Sequence, residues 1–338
     1  MVSISCLCGL SQSVHLEPST QLQLCHCTSC RAVTGLLCAS YYLIQHEPAL
    51  DSLGEYQANG VSRFFCRTCG AHVFARSPSG RYLVASGVVT KPPAVQSIHH
   101  WQVDDTRDGG LSTFFAGTSS SVPGCRLLAL DNPHPANVGS PDTFHGPSDP
   151  QRELLARCDC GGIEFYITPP DASSSQASSP WADLLVPYYS GSSANPGDVK
   201  WWLRDGQTKY LAGTCACTSC RLGSGFPIQT WAFVPKCNIR NADRSSLTFD
   251  RRTMQRYNSS PGVYREFCGR CGATVCWHCT ERPSLIDVSV GLLRASSARA
   301  EDWLEWETGR VSFAEMAVQP DLIKSLEEGL KQYSTISQ

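Results

Sequence analysis

The cysteines of this chain stand in pairs whose spacing suits metal binding. A Cys-x-Cys pair and a distant Cys-x-x-Cys pair can together give four thiolates to one tetrahedral zinc ion, and such closed sites stabilise small β-domains. The chain contains two sets of this kind, which are Cys6, Cys8, Cys66 and Cys69 in the first half and Cys158, Cys160, Cys268 and Cys271 in the second. We predict one structural zinc site from each set.

A second kind of cysteine set lies between these pairs. Its members are Cys25, Cys27 and Cys30 in the first half and Cys215, Cys217 and Cys220 in the second. Three protein ligands with one exchangeable position are typical of catalytic zinc. Three thiolates give the site a net negative charge, which weakens zinc as an activator of water but still lets it hold an incoming thiol as thiolate. The pattern therefore favours thiol chemistry over hydrolysis.

The whole chain has 338 residues and 19 cysteines, with 28 basic residues mixed among 30 acidic ones. No basic face is indicated, so nucleic acid is not an expected partner. The N-terminus lacks the pattern of a secretory signal, and no run of about 18 apolar residues occurs. We expect a soluble, cytoplasmic protein with reduced thiols and no membrane contact. The oligomeric state is left open.

The cysteine motifs recur in the same order in both halves. Each half reads CxCG, then CxCxxCRxxxG, then RxFCxxCGA. The correspondence extends beyond the cysteines, since Tyr41 and Trp231 lie at equal distances past Gly35 and Gly225. A gene duplication explains this agreement, and repeats of this size predict two similar domains.

The halves differ in the lengths between their motifs. The distance from Cys8 to Cys25 is 17 positions, whereas that from Cys160 to Cys215 is 55. The additional residues, at about 169–206, are rich in Ser, Pro and Gly and predict a loop insert. We predict a first zinc domain at 1–117, a linker at 118–151, a second zinc domain at 152–318 and a C-terminal helix and tail at 319–338.

Short β-branched and aromatic segments bounded by turn formers predict a mainly β fold. The predicted strands lie at 13–17, 38–44, 62–66, 72–76 and 82–89 in the first half and at 163–168, 229–234, 265–268 and 286–293 in the second. Helices are few and short. The clearest helix begins at Pro320, where Leu322, Ile323, Leu326 and Leu330 share one face, and we expect it to pack on its own domain.

The three spaced motifs resemble those of the glutathione-dependent formaldehyde-activating family, which is similar in fold to the centromere protein V domain. The resemblance covers both halves and omits the linker and the insert. It implies tandem antiparallel β domains of the β-tent type, with structural zinc in each four-cysteine set. It also implies a second, catalytic zinc on Cys25, Cys27 and Cys30 and on Cys215, Cys217 and Cys220, hence up to four zinc ions and carbon–sulfur lyase chemistry with glutathione as co-substrate.

A mechanism follows from this resemblance and from the ligand types. A thiol binds at the three-cysteine site, loses its proton and attacks a carbonyl carbon, or leaves a carbon–sulfur adduct in the reverse direction. Arg31 and Arg221 follow the last ligand of each set. They could bind a glutathione carboxylate or polarise the substrate oxygen, and the alternative for both is a structural hydrogen bond to loop carbonyls.

The two halves differ at positions that bear on chemistry. His26 stands between ligands where the second half has Ala216, and His72 stands where the second half has Thr274. An imidazole at position 26 could move a proton or only be packed.

Other cysteines and histidines fall outside the shared motifs. Cys276, His278 and Cys279 could close the second three-cysteine site or be ordinary residues of a buried strand. Cys38, Cys125 and Cys237 are expected to be packing residues or idle thiols, and His99 and His100 to lie in a strand or turn at the end of the first domain. The alternative function is a non-catalytic zinc scaffold that binds a protein partner.

Overall fold

The computed structural model describes residues 1–19, 21–116, 119–122, 152–187, 190, 193–249 and 253–336. The fold is mainly β, as predicted, and each half of the chain forms one large sheet and one small sheet. We refer to the halves as the first and second copy. Within the described ranges, no helix is both long and apolar enough to cross a membrane.

The first copy contains ten strands and one short helix among the described residues. They are β1 Val2–Ser5, β2 Ser11–Val14, β3 Gln21–Cys25, α1 Thr28–Thr34, β4 Ala39–Leu43, β5 Leu53–Ala58, β6 Val61–Cys66, β7 His72–Arg76, β8 Tyr82–Ala85, β9 Ser97–Trp101 and β10 Ser119–Val122. The large sheet has the order β10-β9-β3-β4-β8-β7-β6-β5, and β1 pairs with β2 in the small one.

The second copy repeats this arrangement. Its elements are β11 Leu154–Arg157, β12 Glu164–Ile167, β13 Leu203–Arg204, β14 Lys209–Cys215, α2 Thr218–Ser224, β15 Gln229–Pro235, β16 Ile239–Asn241, β17 Met254–Ser260, β18 Val263–Cys268, β19 Thr274–Cys279, β20 Leu285–Ser289 and β21 Leu304–Trp306. The large sheet has the order β13-β14-β15-β20-β19-β18-β17, and β21 pairs in parallel with β14 just as β9 does with β3.

Strands with strong β-branched or aromatic content were predicted well. The predictions at 38–44, 62–66, 72–76, 163–168, 229–234 and 265–268 are confirmed within one or two residues, while the strand predicted at 13–17 lies at Ser11–Val14. The predictions at 82–89 and 286–293 were too long, because β8 and β20 end at Ala85 and Ser289 and a 3₁₀ turn follows each. The short helices α1 and α2 had not been located in the sequence.

The two copies pack against each other through reciprocal backbone contacts. Gly87 N donates to Gly225 O at 2.9 Å, and the corresponding Gly291 N donates to Gly35 O at 2.9 Å. A Cβ atom on Gly87 would lie 2.5 Å from the backbone nitrogen of Phe226. Reciprocal contacts of this kind are the arrangement of an isologous dimer. The 3₁₀ turns that shorten β8 and β20 are therefore where one copy meets the other.

A second reciprocal contact joins the Cys-x-x-Cys loops. Gly70 lies against the ring of Phe267, and Gly272 lies against the ring of Phe65, with no room for a Cβ atom at either glycine. Each phenylalanine directly precedes a cysteine of its own four-cysteine set. The two four-cysteine sets are thus held together by the same interface.

The C-terminal helix α3, Pro320–Ile336, is confirmed and buries the predicted apolar face. The helix was expected to pack only on its own domain, the second copy. It packs on both copies. Ser325 Oγ donates to Ala116 O at 2.7 Å, and a Cβ atom on Gly329 would overlap the backbone of Phe114. The helix therefore fastens the end of the chain to the first copy.

Candidate metal centres

The eight cysteines of the two Cys-x-Cys and Cys-x-x-Cys sets form two compact clusters. The sulfur atoms within each cluster lie no more than 4.8 Å apart. Cys8 Sγ lies 3.4 Å from Cys6 Sγ and 3.4 Å from Cys66 Sγ. Four sulfurs around zinc at about 2.3 Å are about 3.8 Å from one another, so the donor set and its spacing suit tetrahedral zinc.

Tight turns bring the four sulfurs of each cluster together. Gly70 has φ +79°, and its N–H donates to Cys66 O at 2.9 Å. Gly272 repeats this turn with Cys268 in the second copy. Backbone amides also point at sulfur, since Ile163 N donates to Cys158 Sγ at 3.3 Å. Such amide hydrogen bonds favour the thiolate form that a metal requires.

The three-cysteine sets form two further clusters with sulfurs at the same separations. In the first copy, Cys25 ends β3, Cys27 caps the N-terminus of α1 and Cys30 lies in the first turn of that helix. Cys27 Sγ accepts from Cys30 N at 3.3 Å, and Cys217 Sγ accepts from Cys220 N at the same distance. Among the described residues, no other Cys, His, Asp or Glu joins either cluster.

The electrostatics of these clusters favour a thiolate at the helical cysteine. Hydrogen bonds from Cys25 and Cys27, together with the charge of Arg63, hold the pKa of the Cys30 thiol well below its ordinary value. Cys215, Cys217 and Arg265 have the same effect on the pKa of Cys220. Hydrogen bonds with Cys27 and Cys30 raise the pKa of Cys25. A metal ion would be needed for all three sulfurs to be thiolates at once.

Each three-cysteine cluster has a buried arginine beside it. Arg63 Nη2 donates to Cys30 Sγ at 3.6 Å, and Arg265 donates to Cys220 Sγ from Nη1 at 3.8 Å and Nη2 at 3.7 Å. Both arginines are at most 8% exposed. The sequence showed each of them as the first residue of the RxFC motif but did not reveal this contact. The arginines offset the negative charge of the thiolates.

Arg31 and Arg221, by contrast, bond to backbone carbonyls. Arg31 Nη2 donates to Asp105 O at 3.1 Å and to Thr28 Oγ1 at 3.1 Å. Arg221 Nη1 donates to Gly87 O of the other copy. These contacts hold α1 and α2 in place and are of the kind that the structural alternative requires.

The histidines of the first copy do not join its three-cysteine cluster, as far as the structure describes the chain. His26 Nε2 and His100 Nδ1 are 2.9 Å apart, and both rings are buried. Burial lowers the pKa of His26 well below its usual value and that of His100 to about 4. His72 bonds to Val33 O, and His99 bonds to Ser97 Oγ. The buried imidazoles of His26, His72 and His100 are thus packing or positioning groups.

The additional Cys and His residues of the second copy do not reach its three-cysteine cluster. His278 Nε2 lies 3.0 Å from Glu266 Oε1, and the ring stacks on Phe249 at 4.1 Å. Cys276 and Cys279 are buried on β19, where burial raises the pKa of Cys276. The structure does not support a fourth ligand from this strand. It supports the alternative that these are ordinary residues of a buried strand. Cys38 is buried, Cys237 is exposed, and Cys125 lies outside the described residues.

The insert of the second copy packs with residues of its three-cysteine cluster. Trp201 and Trp202 pack in one buried apolar group with Cys215, Cys220 and Trp231. The first copy has no counterpart to this insert. The two clusters therefore have different surroundings, although their cysteines are equivalent.

The comparisons with known proteins agree with the motifs. The family model described as glutathione-dependent formaldehyde-activating enzyme matches residues 1–104 and 197–307. A crystal structure of a Rhodobacter sphaeroides protein is similar over 45% of this chain and 99% of its own, at 15% identity and a TM-score of 0.26, which is too low to add to the assignment. No curated protein matches. Because the family model covers more than half of the chain and spans both copies, the chain belongs to the glutathione-dependent formaldehyde-activating enzyme family.

Proposed function

We propose that this chain is an enzyme that forms or breaks the carbon–sulfur bond between a thiol and an aldehyde or another small electrophile. Glutathione is the thiol that the family description suggests. The observation that carries the proposal is the pair of three-cysteine clusters, each with a buried guanidinium on one sulfur. Three thiolates and one balancing cation suit the binding of a fourth thiolate better than the activation of water.

The cysteines fit zinc in two different ways. The two four-cysteine clusters would each hold one structural zinc ion with a complete ligand set. Cys25, Cys27 and Cys30, and their equivalents Cys215, Cys217 and Cys220, would each hold one more. Zinc bound there would supply a positive centre that keeps an incoming thiol deprotonated.

The residues of the chain then have separate tasks. The capping hydrogen bond between Cys27 Sγ and Cys30 N fixes the sulfurs relative to α1. Arg63 neutralises part of their charge, and burial keeps water away from the three cysteine sulfurs. Arg31 anchors the helix end through the carbonyl of Asp105. Because these groups are already held in place, little reorganisation of the protein is needed when a thiol binds.

A non-catalytic zinc scaffold is the second candidate, and one observation favours it. A cleft of about 270 Å³ lies along Gly161–Phe165, beside the second four-cysteine cluster, and one of about 370 Å³ lies at Lys236 and Cys237. Neither cleft is lined by a cysteine of a three-cysteine cluster. A protein partner is the binding target that this alternative requires.

The compartment is part of the proposal. Every described cysteine is a free thiol, and four clusters of thiols need a reducing environment to stay so. We therefore propose a cytoplasmic location.

Metal analysis and a thiol titration test the proposal together. We expect wild type to contain up to four zinc ions and to bind glutathione, and Cys27→Ala to lose one ion and part of the glutathione binding. Cys237→Ala is the matched control, because Cys237 is exposed and belongs to no cluster. Circular dichroism checks that both variants fold. Equal glutathione binding by wild type and Cys27→Ala would mean that the thiol does not bind at the first cluster.

A further inference from the structure

A tyrosine hydroxyl lies on the same side of the sheet as the first three-cysteine cluster. Ala39 pairs directly with Cys25 across β3 and β4, and Tyr41 is two residues further along β4. Because side chains alternate along a strand, Tyr41 leaves the sheet on the face from which Cys25 projects. Its hydroxyl is close enough to Cys30 and Arg63 for both to affect its pKa, although burial is the main cause of the upward shift.

Arg63 lies on the same face, on strand β6, which is three strands away from β4 in the sheet. It pairs with Ala75 on β7, which pairs in turn with Leu83 on β8. Leu83 is two residues before Ala85, the partner of Tyr41. The register therefore places Arg63, Tyr41 and the cluster on one face, in agreement with the contact between Arg63 and Cys30.

Both side chains keep hydrogen-bonding atoms in the interior without a partner. Tyr41 is 4% exposed and Arg63 is 3% exposed. Within the described residues, the hydroxyl of Tyr41 and the Nε and Nη1 atoms of Arg63 make no hydrogen bond of ordinary geometry, although the guanidinium lies close enough to the hydroxyl to oppose the upward shift of its pKa. Buried polar atoms are nearly always hydrogen-bonded in folded proteins. A ligand oxygen beside the cluster would satisfy these donors.

The second copy does not have this pair. Trp231 takes the position of Tyr41, since it pairs with Ser289 as Tyr41 does with Ala85. An indole has no hydroxyl. Arg265 uses both Nη1 and Nη2 on Cys220, whereas Arg63 uses one. The tyrosine hydroxyl and the free Nη1 of the first copy are thus replaced or occupied in the second, whereas Nε of the arginine lacks a partner in both copies as the structure describes them.

The second copy nevertheless contributes to the first site. The ring of Phe226, which follows α2, meets the ring of Tyr41 edge-on, with 5.4 Å between centroids and an interplanar angle of 80°. This contact crosses the boundary between the copies and fixes the tyrosine ring. The second copy therefore packs directly against the tyrosine of the first site.

We infer that Tyr41 and Arg63 bind the carbonyl oxygen of the substrate at the first three-cysteine cluster, so that the first copy performs the reaction and the second supports it. The inference rests on the proposed function. As the sulfur attacks, the carbon–sulfur bond forms, the C=O π pair moves to oxygen, and the proton lost by the thiol ends on that oxygen. Donors aimed at an oxygen that gains charge are worth most when they are buried.

The test compares Tyr41→Phe with Tyr42→Phe in the full, zinc-loaded chain. Tyr42 is the adjacent residue on the opposite face, and its hydroxyl bonds to Gln319, so Tyr42→Phe removes the same atom away from the cluster. NMR exchange measures the rate at which formaldehyde and glutathione form S-hydroxymethylglutathione. We expect Tyr41→Phe to lower this rate at least tenfold and Tyr42→Phe to leave it unchanged.

Binding gives a readout that does not depend on turnover. Wild type is expected to prefer S-hydroxymethylglutathione to S-methylglutathione, and Tyr41→Phe to lose that preference while retaining its zinc and its affinity for glutathione. If both copies were equally active, Tyr41→Phe would lower the rate by only about twofold. Such a small loss would overturn the inference but not the proposed function. A zinc-loaded wild type that neither binds glutathione nor accelerates the reaction would overturn the proposed function and the inference with it.

Discussion

Arg63 donates from Nη2 to the sulfur of Cys30 at 3.6 Å, in the interior of the first copy. The contact joins β6 to α1 and is repeated by Arg265 and Cys220 in the second copy. A buried cation beside a thiolate cluster offsets a negative charge that would otherwise stay uncompensated. The pair therefore links the stability of the fold to the candidate metal centre.

Removal of this cation is expected to be costly. Arg63→Ala should lower the free energy of unfolding by about 3–5 kcal/mol and reduce the zinc content, because a buried charge loses its partner. Arg76→Ala on the neighbouring strand is the control. Arg76 forms an ion pair with Glu55 at 4.0 Å, and their side chains are 44% and 49% exposed. Such an exposed pair should contribute less than about 1 kcal/mol to stability. Urea unfolding measures both variants, and equal effects would show that Arg63 does not balance the cluster.

The pH dependence of stability should carry a contribution from His72. Burial, with a smaller effect of Arg63, lowers the pKa of His72 to about 3 from its ordinary 6.5. Between these values the unfolded chain binds a proton that the folded chain does not, so stability falls as the pH falls through this window. The slope is at most about 1.4 kcal/mol per pH unit.

A substitution isolates that slope from acid effects on the metal sites. Thr274 stands at the equivalent position of the second copy, so His72→Thr is a replacement the fold already uses. We expect this variant to show a flatter stability curve between about pH 4.5 and 6.5. The control is His46→Gln at an exposed position, and its curve of stability against pH should run parallel to that of wild type. Parallel curves for all three proteins would contradict a buried, neutral His72.

The contact between the copies should not tolerate a side chain at Gly87. Gly87→Ala would place a Cβ atom 2.6 Å from the carbonyl carbon of Gly225, where only backbone could move. We expect a loss of about 3 kcal/mol, at the upper end of ordinary overpacking. Gly197→Ala is the control, because its Cβ atom would meet only the side chain of Val199 at 4.0 Å. Denaturant midpoints compare the two, and a Gly87→Ala protein as stable as wild type would refute the interface.

Metal removal should proceed in two kinetic classes. A chelator can form a mixed complex at a zinc ion with an exchangeable position, whereas four thiolates leave no such position. We therefore expect zinc to leave the three-cysteine clusters quickly and the four-cysteine clusters slowly, as followed by a colorimetric chelator. Cys27→Ala should reduce only the fast class. Release of all ions at one rate would contradict the distinction between the two kinds of site.

The sequence predicted the parts of the site that depend on ligand chemistry. Thiolate spacing is constrained by the metal, so the Cys25 and Cys215 clusters could be assigned from one chain. The contact of Arg63 with Cys30 spans 33 positions, and no local pattern indicates it. The guanidinium of Arg31 could equally have met a carboxylate or a carbonyl, and only the fold decides between them.

The remaining fold features lacked a periodic signal. The helices α1 and α2 have seven residues each, too few for an amphipathic pattern to stand out. The interface between the copies relies on glycines such as Gly87 and Gly291, where the absence of a side chain is what matters. The C-terminal helix shows an apolar face in its sequence, but not which copy that face will meet.

The central claim is that this chain performs carbon–sulfur chemistry at a three-cysteine cluster. Its most direct test is the rate at which glutathione and formaldehyde form S-hydroxymethylglutathione, measured by NMR exchange with the zinc-loaded full chain. We predict an acceleration over the uncatalysed reaction that is lost when Cys27 and Cys217 are both replaced by alanine. An uncatalysed rate in the presence of wild-type protein carrying four zinc ions would contradict the claim and favour the scaffold.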